Sequence, residues 1–362
     1  MIPAPNIYRK RQQALRSKLQ RAGLEAVIVS HIPNVRYVSG FSGSSGVLVV
    51  TSKQSAFFTD GRYIEQAREQ VTADELHSQG ALLAKSAAWA SRAVKGAVGC
   101  DESHLTVKEW QVIKSTRQRG LRLRDASGMV EGLRVIKDAD EIEKIRAAVE
   151  LGSKLFESIR DRIRPGVRET DIAAEIEYAA RKGGAEGMSF ETIVAGGARS
   201  ALPHGVASQR LLPARGFVVL DFGVILSGYC SDMTRTVHLG KPDTRARRLY
   251  QSVLRAQQSA IRAVRPQVTA HAVDQAARGV LHKAGLGEFF THSTGHGVGL
   301  EIHEAPRLAR KGREKLKPGM VVTIEPGAYI PGAGGVRIED MVVVTQGGCE
   351  VLTPTTKELI VI

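Results

Sequence analysis

The stretch Phe217-Val218-Val219-Leu220-Asp221-Phe222-Gly223-Val224 places one aspartate inside a run otherwise apolar enough to be a buried β-strand. A turn signal at Ser227-Gly228 follows, and a second strand is predicted from Cys230 to Leu239, with Asp232 near its start. Folding the pair about that turn brings Asp221 opposite, or nearly opposite, Asp232. Like charges across a ladder are destabilising, and two carboxylates within an apolar strand pair call for something cationic between them. Downstream the pattern returns. Met320 to Glu325 and Val336 to Thr345 read as strands joined across Pro331-Gly332-Ala333-Gly334-Gly335, which places Glu325 near Glu339. Period two then puts Arg337, Glu339 and Met341 on one face and Asp340 on the other. A single such acid reads as a solvated strand end or a salt bridge. Four acids in two mirrored hairpins, together with the glycine-flanked His296, read instead as a two-metal hydrolase site. Hard oxygen ligands with one imidazole suit Mn, Co, Fe or Zn.

The two hairpins sit in a repeat. Asp138 offers an N-cap with Glu141 three residues later, and Ile142, Ile145, Val149, Phe156, Ile159 and Ile163 mark an amphipathic helix running to Pro165-Gly166. A helix at Asp171 to Lys182, strands and the aspartate hairpin follow. The order then recurs as helices at Thr244 to Val264 and Ala270 to Lys283, strands and the glutamate hairpin. Asp221 and Glu325 are 104 residues apart, and Asp232 and Glu339 are 107. Such spacing predicts two similar halves, each giving one carboxylate pair to a central site.

The texture changes near residue 130, and two domains are expected, 1–130 and 131–362. The first begins with an amphipathic helix ending near Gly23, then strands around Val27-Ile28-Val29, Val47 to Val50 and Ala56 to Thr59, and reads as an independent α/β domain. Gly40-Phe41-Ser42-Gly43-Ser44-Ser45-Gly46 lacks the Walker lysine and the GxGxxG spacing, so it reads as a turn and not a phosphate cradle. No apolar run approaches membrane-spanning length, and Met1-Ile2-Pro3-Ala4-Pro5-Asn6 has no signal-peptide core, from which a cytoplasmic location is expected. Cys100, Cys230 and Cys349 are odd in number and widely spaced, as small core residues would be. The net charge of +14 raises nucleic-acid binding, but the basic residues are spread along helices among acids and apolar positions, so a solvated basic surface is expected.

Several stretches resemble a known family. Leu202-Pro203-His204-Gly205, Asp221-Phe222-Gly223, Ser231-Asp232-Met233-Thr234-Arg235-Thr236, Thr294-Gly295-His296-Gly297-Val298-Gly299-Leu300-Glu301-Ile302-His303-Glu304, Thr323-Ile324-Glu325-Pro326-Gly327 and Gly335-Val336-Arg337-Ile338-Glu339-Asp340 look like the signatures of the M24 metallopeptidases in order and spacing. Asn34-Val35-Arg36-Tyr37-Val38-Ser39-Gly40-Phe41 and Phe58-Thr59-Asp60-Gly61-Arg62-Tyr63 resemble the creatinase/prolidase N-terminal domain. That domain points to the proline-specific branch, an Xaa-Pro aminopeptidase first and an Xaa-Pro dipeptidase (prolidase) as the alternative. A non-catalytic M24-fold binding module and a metal-free creatinase-like amidinohydrolase are more distant readings, disfavoured because all five ligand positions are filled.

The resemblance implies an α/β N-terminal domain, a pita-bread α+β catalytic domain with a pseudo-twofold repeat, and a homodimer. It implies that Asp221 and Asp232 hold one divalent ion, that Asp232 bridges to a second held by His296 and Glu325, and that Glu339 bridges both. Manganese comes first, with cobalt, zinc or iron also compatible. By the same resemblance His204, His292 and His303 line the pocket for an Xaa-Pro peptide, and Glu325 shuttles a proton to the leaving nitrogen. Arg337, two residues before Glu339 on one face, is expected to orient the carboxylates. His31, His77, His104, His238, His271 and His282 read as ordinary polar or surface residues.

Overall fold

A computed structural model describes residues 6–78, 80–117 and 121–362, so the Met1–Pro5 stretch read above lies outside it. The chain divides into two compact units after Arg134.

The N-terminal unit opens with α1 (Asn6–Ala22), β1 (Ala26–Val29), α2 (Ile32–Ser39), β2 (Gly46–Thr51) and β3 (Ser55–Thr59). It continues through α3 (Ile64–Gln70), β4 (Glu75–Ser78), α4 (Leu82–Ala93), β5 (Ala97–Cys100), α5 (Val107–Thr116), β6 (Arg122–Asp125) and α6 (Glu131–Arg134). Its strands form one mixed sheet in the order β4-β3-β2-β1-β5-β6. The apolar runs of β1, β2 and β3 are buried throughout, as strands covered on both faces must be. Residues 40–45 form a loop between α2 and β2, in line with the turn reading.

The C-terminal unit carries the predicted repeat. Its first half comprises α7 (Ala139–Ile159), α8 (Glu169–Lys182), β7 (Gly187–Met188), β8 (Ile193–Gly196), β9 (Gly216–Phe222), β10 (Val224–Leu226), β11 (Tyr229–Cys230) and β12 (Met233–Leu239). The second comprises α9 (Thr244–Ala263), α10 (Ala270–Lys283), β13 (Gly295–Gly297), β14 (Glu304–Leu308), β15 (Val321–Ile324), β16 (Gly327–Ile330), β17 (Gly334–Arg337), β18 (Asp340–Val344) and β19 (Cys349–Val351). Helix α7 starts on the expected capping box, with Asp138 and Glu141 each satisfying the other's backbone N–H. Its α-helical part ends at Ile159, and a single 3₁₀ turn, Arg160–Arg162, carries the chain to the buried Ile163. Helix α8 starts two residues before the predicted Asp171.

Each half has its own core. Ile172 and Ile176 of α8 and Phe156 of α7 pack on Val218, Leu220 and Val237, while Val253 of α9 and Val273 and Ala277 of α10 pack on Val322, Ile324 and Val342. Each fully buried branched side chain contributes about 1.5–3 kcal/mol. The halves share an antiparallel triplet, β8-β9-β12 in the first and β13-β15-β18 in the second, the latter extended by β14 and β19 at its edges.

The predicted long strands are each broken in two. Cys230 to Leu239 is interrupted at Ser231-Asp232, and Val336 to Thr345 at Ile338-Glu339. On both sides of each break the chain belongs to different sheets. Gly223 permits the first kink, because a Cβ there would stand 1.8 Å from the Ser231 carbonyl oxygen. Pro326, which has no N–H for a ladder, stands at the second. The breaks therefore fall at or beside the suspected ligands. Among the described residues no helix is long and apolar enough to cross a membrane. Cys100 and Cys230 are buried and Cys349 partly so, all as free thiols.

Candidate metal centre

Asp221 lies in β9 opposite Thr234, and Asp232 at the kink just before β12. Ile324 pairs with Asp340 and Gly327 with Arg337, so Glu325 and Glu339 face each other across the second kink. His296 lies in β13, beside β15, and its backbone N–H donates to Thr323 Oγ1 at 3.1 Å. Neighbouring Gly295 lets that strand approach, since a Cβ on it would stand 1.9 Å from the Thr323 carbonyl oxygen.

These elements converge. Ligand atoms of Asp232, His296 and Glu339 all lie within 4.8 Å of one another. His296 Nε2 is 3.5 Å from Asp232 Oδ2 and 3.6 Å from Glu325 Oε1. Its Nδ1 sits 3.0 Å from the Gly297 carbonyl and donates there, which aims the Nε2 lone pair at the carboxylates. Arg337 Nη2 donates to Asp221 Oδ2, while its other nitrogens reach Thr234 Oγ1 at 3.0 Å, Tyr329 Oη at 2.7 Å and the Pro203 carbonyl at 3.0 Å. Thr234 in turn donates to Glu339 Oε2 at 2.7 Å.

Two oxygens make the fit to a cation specific. Asp221 Oδ1 and Glu339 Oε1 are buried with no hydrogen-bond partner, although the other oxygen of each carboxylate is satisfied. Uncompensated buried carboxylate oxygens are costly, and divalent cations would satisfy both. The donor set of four carboxylates and one imidazole fits a pair of such ions.

Electrostatics say the same. Burial, then the charges of Glu339, Asp221 and Glu325, raise the Asp232 pKa well above the carboxylate range. Burial likewise raises Glu339 and pushes Glu325 up to about 8. Burial pushes His292 and His296 down to about 4 and also lowers His303. Without metal, Glu325 holds its proton more tightly folded than unfolded, so its ionisation removes stability as pH rises from about 4.5 through about 8, and Asp232 and Glu339 act in the same direction. His292 and His296 act oppositely, but only below their ordinary 6.5. The melting temperature of EDTA-treated protein is therefore expected to fall between pH 6.5 and 8, less steeply in Glu325→Gln, with added Mn²⁺ restoring most at the upper end. Identical slopes for the two proteins would remove Glu325 from this account.

The other expected histidines lie close to these residues, His292 Nδ1 standing 3.9 Å from Glu325 Oε2. His292 Nδ1 donates to the Ser293 carbonyl at 2.8 Å, and Nε2 meets Tyr329 Oη at 2.8 Å. Arg337 donates to that same phenol oxygen, so the phenol proton points to His292, and both ring nitrogens are engaged. The exposed His303 ring stands edge-on to His296 with centroids 4.4 Å apart. His204 is exposed, and its charge acts on both His292 and His303.

Sequence reading passed over Tyr329, Thr234 and Arg307. A tyrosine on a buried strand reads as core, and only the β16–β17 pairing shows its hydroxyl between His292 and Arg337. Arg307 pairs with His296 in the β13–β14 ladder, is exposed, and acts electrostatically on His296, His303 and Glu325. Among the described residues it makes no ion pair. Of the histidines read as ordinary, His77 bonds Glu75, His104 bonds Glu131, and His238 and His271 bond backbone carbonyls. Asp101, His104 and Glu131 form a second close group in the N-terminal unit, already joined by the 3.2 Å His104–Glu131 hydrogen bond.

Mirrored half-domains closing on four carboxylates with a single buried arginine among them define a metal-dependent hydrolase. Residues 143–346 match metallopeptidase family M24, and residues 11–136 match the creatinase/prolidase N-terminal domain. The chain belongs to metallopeptidase family M24 and has its pita-bread catalytic fold. It is 35% identical to an Xaa-Pro dipeptidase of Pyrococcus horikoshii over 94% of this chain and 96% of that one. An Xaa-Pro dipeptidase structure from Bacillus anthracis superposes with a TM-score of 0.94 at 40% identity, covering 98% and 100% of the two chains. An X-Pro aminopeptidase structure from Thermotoga maritima superposes at 0.88 with 34% identity, covering 97% and 99%.

Proposed function

We propose that the protein hydrolyses the Xaa-Pro bond and that its preferred substrates are Xaa-Pro dipeptides. The relatives named Xaa-Pro dipeptidase support this over the longer-peptide preference first expected. The observation that carries it is Arg307, an exposed guanidinium without an ion-pair partner among the described residues, one strand from His296. A dipeptide ends in a carboxylate one residue beyond the scissile bond, and that cation would receive it. The second reading, an Xaa-Pro aminopeptidase, is favoured by the likeness to the Thermotoga maritima enzyme.

Asp221, Asp232, His296, Glu325 and Glu339 would hold two divalent cations, manganese first, which supply Lewis-acid polarisation and an acidified water. The protein's own groups do the rest. Glu325 takes a proton from the attacking water and passes it to the proline nitrogen as that nitrogen leaves. Arg337 fixes Asp221 and, through Thr234, the orientation of Glu339. His204 and His303, both exposed, orient the substrate, while His292 is held by Tyr329. An Xaa-Pro bond is a tertiary amide without N–H, so enzymes that grip an extended backbone lose a contact there. The expected homodimer belongs to the same proposal and is tested by sedimentation.

The deciding assay is release of the N-terminal residue from Xaa-Pro and Xaa-Pro-Yaa by metal-stripped protein resupplied with Mn, Co, Zn or Fe. Arg307→Ala is expected to lower kcat/KM for the dipeptide by about 10- to 100-fold, mostly through KM, as loss of a charged hydrogen bond of about 1.5–3 kcal/mol implies. Tripeptide cleavage should change little. Equal losses on both substrates would show that Arg307 does not clamp the dipeptide carboxylate.

A further inference from the structure

Helices α8 and α10 each carry a buried carboxylate that lies outside the metal centre. Glu169 is 1% exposed and Asp274 fully buried. They lie one in each half, Glu169 as the first residue of α8 and Asp274 one turn further into α10. Each is joined to an arginine, and each pair spends its remaining hydrogen bonds on a loop that carries a pocket histidine.

In the first half Glu169 Oε1 accepts from the Gly196 N–H at 2.9 Å, and Oε2 from the Ser208 N–H at 3.1 Å and Ser208 Oγ at 2.6 Å. Arg199 Nε reaches both oxygens, at 3.1 and 3.0 Å, and Arg199 Nη2 donates to the Val206 carbonyl at 2.6 Å. The loop between residues 196 and 208 is thereby pinned at both ends, with His204 inside it. In the second half Arg278 meets Asp274 bidentately at 2.9 and 2.8 Å. Its outer nitrogens donate to the carbonyls of Phe290 at 3.0 Å and His292 at 2.9 Å, and its guanidinium lies 4.1 Å from the Phe290 ring centroid. Asp274 Oδ1 also accepts from Thr294 Oγ1 at 2.9 Å, and the Thr294 carbonyl accepts from the Glu325 N–H at 2.8 Å.

We propose that Glu169–Arg199 and Asp274–Arg278 are positioning pairs, one per half, that hold the segments bearing His204 and His292 in register with the metal centre. Buried ion pairs are weak sources of stability, and apolar residues of equal volume could fill both sites. An apolar residue could not, however, bind the Val206, Phe290 and His292 carbonyls, which face the arginines. The pairs touch neither the reacting atoms nor the ligand side chains, so they act through the two histidines.

The inference rests on the peptidase reading, and double-mutant cycles test it. Arg278→Lys keeps the charge but loses the bidentate geometry, and the cost expected for a misplaced catalytic group is about 10- to 100-fold in kcat/KM. Metal content per chain should be unchanged. In a His292→Ala background the same substitution should cost less than about threefold, because the group it positions is gone, whereas Arg199→Lys should keep its full cost there. In a His204→Ala background the pattern should reverse. Equal losses in every background, or metal lost together with activity, would overturn the proposal. If the unaltered protein cleaves no Xaa-Pro peptide, the peptidase reading fails by itself, and crystal structures of the two arginine variants still decide the positioning. A His292 ring displaced from Tyr329 in Arg278→Lys supports it, and an unmoved ring overturns it.

Discussion

Asp232→Asn is expected to lower kcat/KM on Xaa-Pro peptides by at least about 10³-fold, the rate equivalent of the several kcal/mol that metal-ion catalysis supplies. Asp232 is 5% exposed, its carboxylate is 3.5 Å from His296 Nε2, and the charges of Glu339, Asp221 and Glu325 all act on it. Removing its charge removes a donor shared by the centre and should lower metal content per chain. The same substitution relieves like-charge repulsion. The metal-free variant is therefore expected to melt at or above the metal-free parent, while the parent gains far more from added Mn²⁺. Loss of activity with that stability pattern separates a missing ligand from a damaged fold. A variant that keeps both metal and turnover would take Asp232 out of the centre.

Arg337→Met is expected to be the most destabilising single change at the site, by about 3–5 kcal/mol in urea unfolding, because it leaves Asp221 buried without its partner. Arg337 is 3% exposed and serves Asp221, Thr234, Tyr329 and the Pro203 carbonyl at once. Burial opposes its charge, but Tyr329, Asp221 and Glu325 outweigh that and raise its pKa further. Much of the lost stability should return in Arg337→Met/Asp221→Asn, where no unpaired charge remains, and activity should not return. Additive destabilisation by the two changes would mean that the pair is not coupled.

Much of this architecture can be read from single residues. The Asp138/Glu141 capping box marks the start of α7, and the bounds of α10 match the prediction residue for residue. The four acids are conspicuous because an acid in an apolar strand is anomalous. By contrast, α2, α3, α4 and α5 of the N-terminal unit are short, and their patterns are too brief to separate from loop. The strand breaks at Ser231-Asp232 and Ile338-Glu339 were illegible for another reason. Alternation of side chains continues through a kink, and only a change of ladder partner reveals it.

By itself the sequence determined that the catalytic chain is two repeated halves and that Asp221, Asp232, His296, Glu325 and Glu339 form its ligand candidates, because periodicity and anomalous charge are local properties. Beyond Arg337 and the three expected histidines, tertiary structure alone decided what surrounds those carboxylates. Tyr329 acquires its place from a strand pairing, Arg307 from the neighbour of His296 in a ladder, and Asp274–Arg278 from a helix packed behind the His292 segment. Hydrogen bonds and Coulomb forces act over a few ångströms of space regardless of separation along the chain, so partners over 100 residues apart, such as Arg337 and Asp221, leave no local pattern to read.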